Sequence, residues 1–290
     1  MLQWLQSTWQ TVYGVISNTV LTAFPLIHTI LLVMAGCFGS MLYGKLKPAL
    51  KDAFLRALGI FVILMGASQL WDSFFILQTA QFETTGTILV VVSLVAGYAL
   101  GHAFALDRAL GRFGVWLCRR FIKDKPRRTL KELKAMQENP DALPPKQETV
   151  LSAEGFLLAT LLCAFSAPTI RSTLDSRTSE DALPLLVTLG FGIVVLFVLT
   201  AVYGISPVFG AIPVLAVEGI LFLSYTLCGD LLTNALVNQF CLIGAVILIA
   251  TGLGLGLGKR IRAANFIPAY LIPVVYGLVM LLVNKLVEAA

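Results

Sequence analysis

The run GLGLGLGKRIR, Gly252 to Arg262, decides between two very different proteins. Alternate glycines followed by Lys259 look like a phosphate-binding loop, and the spacing excludes it. A dinucleotide fingerprint needs glycine at the first, third and sixth positions of the turn, and the sixth position counted from Gly252 is Leu257. A P-loop needs a glycine separated by four residues from the Gly-Lys pair and a hydroxyl residue after it, where Leu253 and Arg260 stand. What remains is two interleaved small-xxx-small pairs, Gly252 with Gly256 and Gly254 with Gly258. Such pairs let a second helix approach closely in lipid. The Lys-Arg-x-Arg that follows marks the cytoplasmic end of a membrane helix.

Outward from that run, the composition supports the same choice. Of 290 residues, 58% are hydrophobic and 13% charged, and the mean hydropathy is +0.87. A soluble domain carries about 25% charged residues, so a bilayer must be the solvent for much of this chain. Apolar runs long enough to cross it extend over Phe24–Tyr43, Phe54–Leu70, Thr87–Leu106, Gly155–Ile170, Leu183–Tyr203, Val208–Leu227, Leu231–Leu257 and Phe266–Val283. The pattern predicts an all-α, polytopic membrane protein with about eight transmembrane helices. The fourth run is short and is interrupted by Pro168.

Lysine and arginine are held on the cytoplasmic side during insertion. Lys45, Lys47, Lys51 and Arg56 follow the first run, and Lys259, Arg260 and Arg262 follow the seventh. The largest group, from Arg108 to Lys146, follows the third. Eight crossings put all three groups on one face and both termini on the other. The chain then divides into an interfacial amphipathic segment (1–23), a first bundle of three helices (24–106), a basic cytoplasmic loop (107–150), a connector helix open to interruption (151–182) and a second bundle of four helices (183–290). In the loop, Thr129 and Glu132 have capping-box spacing, and Pro140, Pro144 and Pro145 predict an extended linker. Its charge is expected to meet anionic lipid headgroups rather than nucleic acid. Trp4, Trp9 and Tyr13 suit a helix lying at the membrane surface, a ninth crossing being the alternative. The first residues lack the pattern of a cleaved secretory signal.

Two stretches overlay at a separation of about 183 residues. Pro25 falls near Pro207, Gly36 on Gly219, and LKDAF from Leu50 near LTNAL from Leu232. The first would enter from outside and the second from inside, so the halves would form an inverted repeat with the fourth helix as connector.

Few residues offer chemistry. Glu218 lies near the middle of the sixth run, where an ionised carboxylate costs about 2.5–3.5 kcal/mol even on insertion scales. It reads either as an ion- or proton-binding carboxylate or as a protonated acid bonded to neighbouring backbone. Asn234 and Asn238, one turn apart, form a polar stripe for a solute or for a neighbouring helix. Glu154 opens the fourth run, and Thr169 and Arg171 follow its interruption, where a broken helix exposes backbone groups to an ion and Arg171 suits an anionic solute or the headgroups. His28 and His102 lie near run ends with no metal spacing. Cys37, Cys118, Cys163, Cys228 and Cys241 form no C-x-x-C pair. Asp230 follows Gly229 without the rest of an intramembrane aspartyl protease motif, and H-E-x-x-H and G-x-S-x-G are absent. No catalytic, cofactor or metal site is expected.

ILVVVSLVAGYALGHAFALDRALGRFG, EGFLLATLLCAFSA and GLGKRIRAANFIPA resemble the bacterial inner-membrane family of domain of unknown function 554. The resemblance runs from about Leu31 onward and is most specific over Gly244–Pro268. It implies a polytopic protein of the bacterial cytoplasmic membrane, suspected of transport. Glu154, Gly155, Asn265 and Pro268 fall on positions that the family pattern marks. In the fifth helix that pattern often has an acidic residue followed by glycine; TLGFGI stands here instead, which leaves Glu218 as the distinctive carboxylate. The expected function is a small-solute or ion transporter of the secondary type. The alternative is a scaffold or signalling protein that presents the basic loop.

Overall fold

A computed structural model describes residues 23–79, 85–121, 146–178, 183–227, 232–258 and 261–289. The interfacial segment 1–22, most of the basic loop (122–145), and Lys259 and Arg260 lie outside the described residues. The rest is helical: α1 (Ala23–Ser40), α2 (Pro48–Thr79), α3 (Thr85–Ala103), α4 (Leu106–Phe121), α5 (Lys146–Ala159), α6 (Ala167–Thr178), α7 (Leu183–Tyr203), α8 (Ala211–Leu227), α9 (Asn234–Leu257) and α10 (Leu271–Ala289). Among the described residues, six helices are long and apolar enough to cross a membrane. Two bent pairs, α3 with α4 and α5 with α6, bring the number to eight when each counts as one crossing. The chain is a polytopic all-α membrane protein.

Contacts between helices fix their directions. Gly59 of α2 meets Gly252 and Gly256 of α9, while Gly66 meets Ala245 and Ile249, so these helices are antiparallel. Gly192 of α7 faces His28 and Leu32 of α1, and Gly36 faces Leu196 and Thr200, so that pair is parallel. Gly97 and Gly101 of α3 meet Ala269 and Asn265, in reverse order, in the short 3-10 helix Ala263–Tyr270 that leads into α10. Each direction is the one that eight alternating crossings require.

The glycine run has divided roles. A Cβ on Gly252 would stand 2.8 Å from the Ile63 side chain and 2.9 Å from the Gly59 carbonyl oxygen. One on Gly59 would stand 2.6 Å from the Gly256 nitrogen and 2.8 Å from the Gly252 oxygen. Backbone atoms cannot yield as a flexible side chain does, so both positions need glycine for α2 and α9 to touch. A Cβ on Gly256 would meet nothing, Gly254 accepts the capping bond of Gly258, and Gly258 closes α9 in the left-handed conformation at φ 63°.

Two elements differ from the reading by apolar runs. The third helix stops at Ala103, and Ala105, a non-glycine residue at φ 49°, turns the chain by 58° into α4. Residues 106–121, assigned mostly to the loop on charge, are an amphipathic helix. Gly114, Leu117 and Cys118 pack inward while Arg112 and Arg120 stay exposed. Counting charges hid a helical period. The fourth crossing, expected as a connector, is central instead: nearly every residue from Gly155 to Ser176 is buried. Its Ala, Ser, Thr and Cys side chains are small enough for four neighbours to close on it. The interruption falls at Phe165–Ser166, after a π turn over Thr160–Ala164. Pro168 sits in the first turn of α6, where a missing N–H costs nothing.

Candidate ion-binding site

Glu218 sits on α8 beside α1, and its side chain is wholly enclosed by protein. Its Oε1 lies 2.5 Å from Nδ1 of His28, itself buried. Two local features seat the imidazole. Phe24, one turn earlier on α1, stacks on the ring with centroids 5.5 Å apart. Gly192 on α7 leaves room for its far edge, since a Cβ there would stand 2.8 Å from Nε2. The sequence thus supplies a ring floor and a gap, and packing brings the carboxylate from 190 residues away.

Within this pair, His28 Nε2 and Glu218 Oε2 have no hydrogen-bond partner among the described residues. Buried polar atoms ordinarily find partners, so two vacant valences at adjoining groups mark a place for a proton, an ion or water. With neutral His28 donating from Nδ1 to an ionised Glu218, the pair carries one negative charge. One added proton makes it neutral, whichever atom holds it. In a low-dielectric surrounding the neutral form avoids the cost of an uncompensated buried charge.

The other predicted residues are dispersed. Thr169, buried, bonds to Ser166 at 2.9 Å across the first turn of α6. The carbonyl of Phe165, freed by the break, accepts a hydrogen bond from Tyr270 Oη at 3.0 Å. Arg171 and Asp175 lie one turn apart on α6, Nε to Oδ2 3.6 Å. Asn238 is buried on α9, whereas Asn234 is exposed at its first position, after the Thr233 cap. Glu154 is half-buried on α5, beside Gly155, where a Cβ would stand 2.7 Å from Ser206 Oγ. The Gly252–Gly256 seam lies against α2 and away from this pair.

His28 is the member that reading by sequence left among span-end histidines. The signal was present in the cost argument applied to Glu218. A carboxylate deep in an apolar run needs a cationic or proton-sharing partner, and this chain has two histidines.

Comparison with known proteins places this architecture. The model of the family described as "Protein of unknown function (DUF554)" matches residues 24–278. The chain is similar to the uncharacterized membrane protein YdfK of Bacillus subtilis (strain 168). The two are 19% identical over 246 residues, 85% of this chain and 91% of the relative. No solved structure matches.

Proposed function

We propose that this chain, which belongs to the DUF554 family, is a proton-coupled secondary transporter of a small solute, with His28 and Glu218 as its proton site. The observation that carries the reading is the fully buried pair with one vacant valence on each partner. A carboxylate kept among lipid-embedded helices at this cost is a functional device by default.

Three further features support it. The stretches related by the internal repeat correspond to α1 with α8 and α2 with α9, and both pairs run antiparallel, as inverted halves must. The His28–Glu218 bond crosses between the first two of these helices, where rocking of one half against the other would open it. The broken α5–α6 crossing lies at the centre of the bundle, where non-helical backbone is tolerated only inside protein or beside a cavity. In this reading the protein works in the bacterial cytoplasmic membrane, as the family resemblance implies, and the distribution of Lys and Arg supports both termini outside and the basic loop against anionic headgroups.

The test is a solute screen on purified protein in proteoliposomes, read as proton-coupled current. Wild type should give current with at least one solute, and Glu218→Gln should abolish the proton-coupled part. Infrared titration should show a carboxylic acid band that is lost in Glu218→Gln and displaced in His28→Gln. A current indifferent to both substitutions, with no titrating band, overturns the assignment.

A further inference from the structure

Where α2, α6 and α9 meet, polar side chains are brought to one level. α6 runs antiparallel to α9: Ala167 packs with Cys241, Gly244 and Ala245, while Ile170 and Leu174 share a cluster with Leu236 and Phe240. Arg171, one turn past Ala167, therefore lies at the height of Asn238. α2 arrives at the same height, since Leu70 packs against the Ala167–Cys241–Ala245 cluster and Ser73 faces the Cys241 thiol. Arg171 and Asp175 lie on the stretch of α6 that follows Ala167, the residue packed against Cys241.

Several groups here have unused hydrogen-bonding capacity. Arg171 Nη1 is buried without a partner, and its one ion-pair contact, to Asp175, is long at 3.6 Å. Ser73 is fully buried, and its hydroxyl has only the weakly bonding thiol beside it. The Gln69 side-chain oxygen, one turn before Ser73, is likewise buried and unpartnered. The neighbouring face of α6 is held rigid by Ser172, bonded to Thr188 of α7 at 2.6 Å, and by Thr188 Oγ1 donating to the Pro168 carbonyl at 3.3 Å. Arg171 is thus presented on a helix fixed against α7, with Nη1 of its guanidinium unpartnered among the described residues.

We propose that Arg171, with Ser73, Gln69 and Asn238, forms the solute site of this transporter and that it takes the carboxylate of a small organic acid. A guanidinium edge offers two parallel N–H donors that match a carboxylate, and the Ser73 O–H with the side-chain NH2 groups of Gln69 and Asn238 would donate to its remaining lone pairs. Asp175 holds the guanidinium while the site is empty. The inference rests on the transport reading above and adds the substrate class.

The experiment uses the full chain in lipid nanodiscs, with binding measured calorimetrically for acetate, pyruvate, lactate and succinate. Their uncharged amides, chloride and inorganic phosphate serve as contrasts. At least one carboxylate should bind and its amide should not. Arg171→Lys should weaken that binding about tenfold or more, since it keeps the charge and loses the paired donors. Arg171→Gln should abolish it, and Glu218→Gln should leave it measurable. Unchanged thermal stability in Arg171→Lys separates loss of binding from misfolding. Carboxylates that fail to bind wild type, or bind Arg171→Gln equally well, overturn the proposal, as does Arg171-dependent binding of chloride or phosphate alone. Arg171-dependent carboxylate binding without proton-coupled current leaves this site standing and removes the transport reading. Current with a solute that lacks a carboxylate, unaffected at Arg171, does the reverse.

Discussion

His28–Glu218 and Arg171–Asp175, two acid–base pairs among the described residues, are built differently. His28 and Glu218 are sealed, 1% and 0% exposed, and 2.5 Å apart across two helices. Arg171 and Asp175 are 30% and 29% exposed and 3.6 Å apart on a single helix. The first pair is too enclosed to admit more than a proton, a small ion or water. The second is loose enough to be parted by a solute that offers a better partner. Burial thus sorts two superficially similar pairs into different chemical tasks.

The largest expected effect comes from breaking the sealed pair on one side only. Glu218→Leu or His28→Leu should destabilise the protein by about 3–5 kcal/mol, because one polar group is left in the interior without its partner. The double substitution should cost less than the sum of the two, and thermal unfolding in detergent reads the difference. Additive losses would show that the two groups act independently.

Next come the positions that bring the pair-bearing helices' neighbours together. Gly252→Ala and Gly59→Ala should each cost about 1–3 kcal/mol, since the added methyl meets backbone and forces α2 from α9. Gly256→Ala, whose methyl meets nothing, should fall within about 0.5 kcal/mol of wild type. Equal losses at all three would deny the seam its one-sided geometry. Tyr270→Phe removes the donor to the Phe165 carbonyl and should cost about 1–3 kcal/mol if that acceptor then goes unpaired. The smallest effect belongs to the loose pair. Asp175→Asn should change unfolding stability by about 1 kcal/mol or less, as for other partly exposed ion pairs. A larger loss would mean that Arg171 and Asp175 are a structural clamp and not a site waiting for a ligand.

How much of this was legible follows from interaction range. The spans were readable because lipid acts on each apolar run separately. Glu218 was readable because a carboxylate in such a run is costly wherever its partner sits. α4 was missed because its arginines were counted as loop charge before its 3.6-residue period was tested. The central place of the fourth crossing was hidden because it is short and rich in small residues; helix packing in lipid favours them, although they score poorly as apolar runs.

Local chemistry along the chain settled that this is a helical membrane protein and that Glu218, an acid deep in an apolar run, demands an explanation. Those outcomes depend on the transfer of single segments between water and lipid, so no distant residue can change them. The identity of the acid's partner and the use of Gly59 and Gly252 at one seam arose only from helix packing. Such contacts join residues 190 or more positions apart, and no local pattern encodes which of several polar side chains will face one another once the bundle closes.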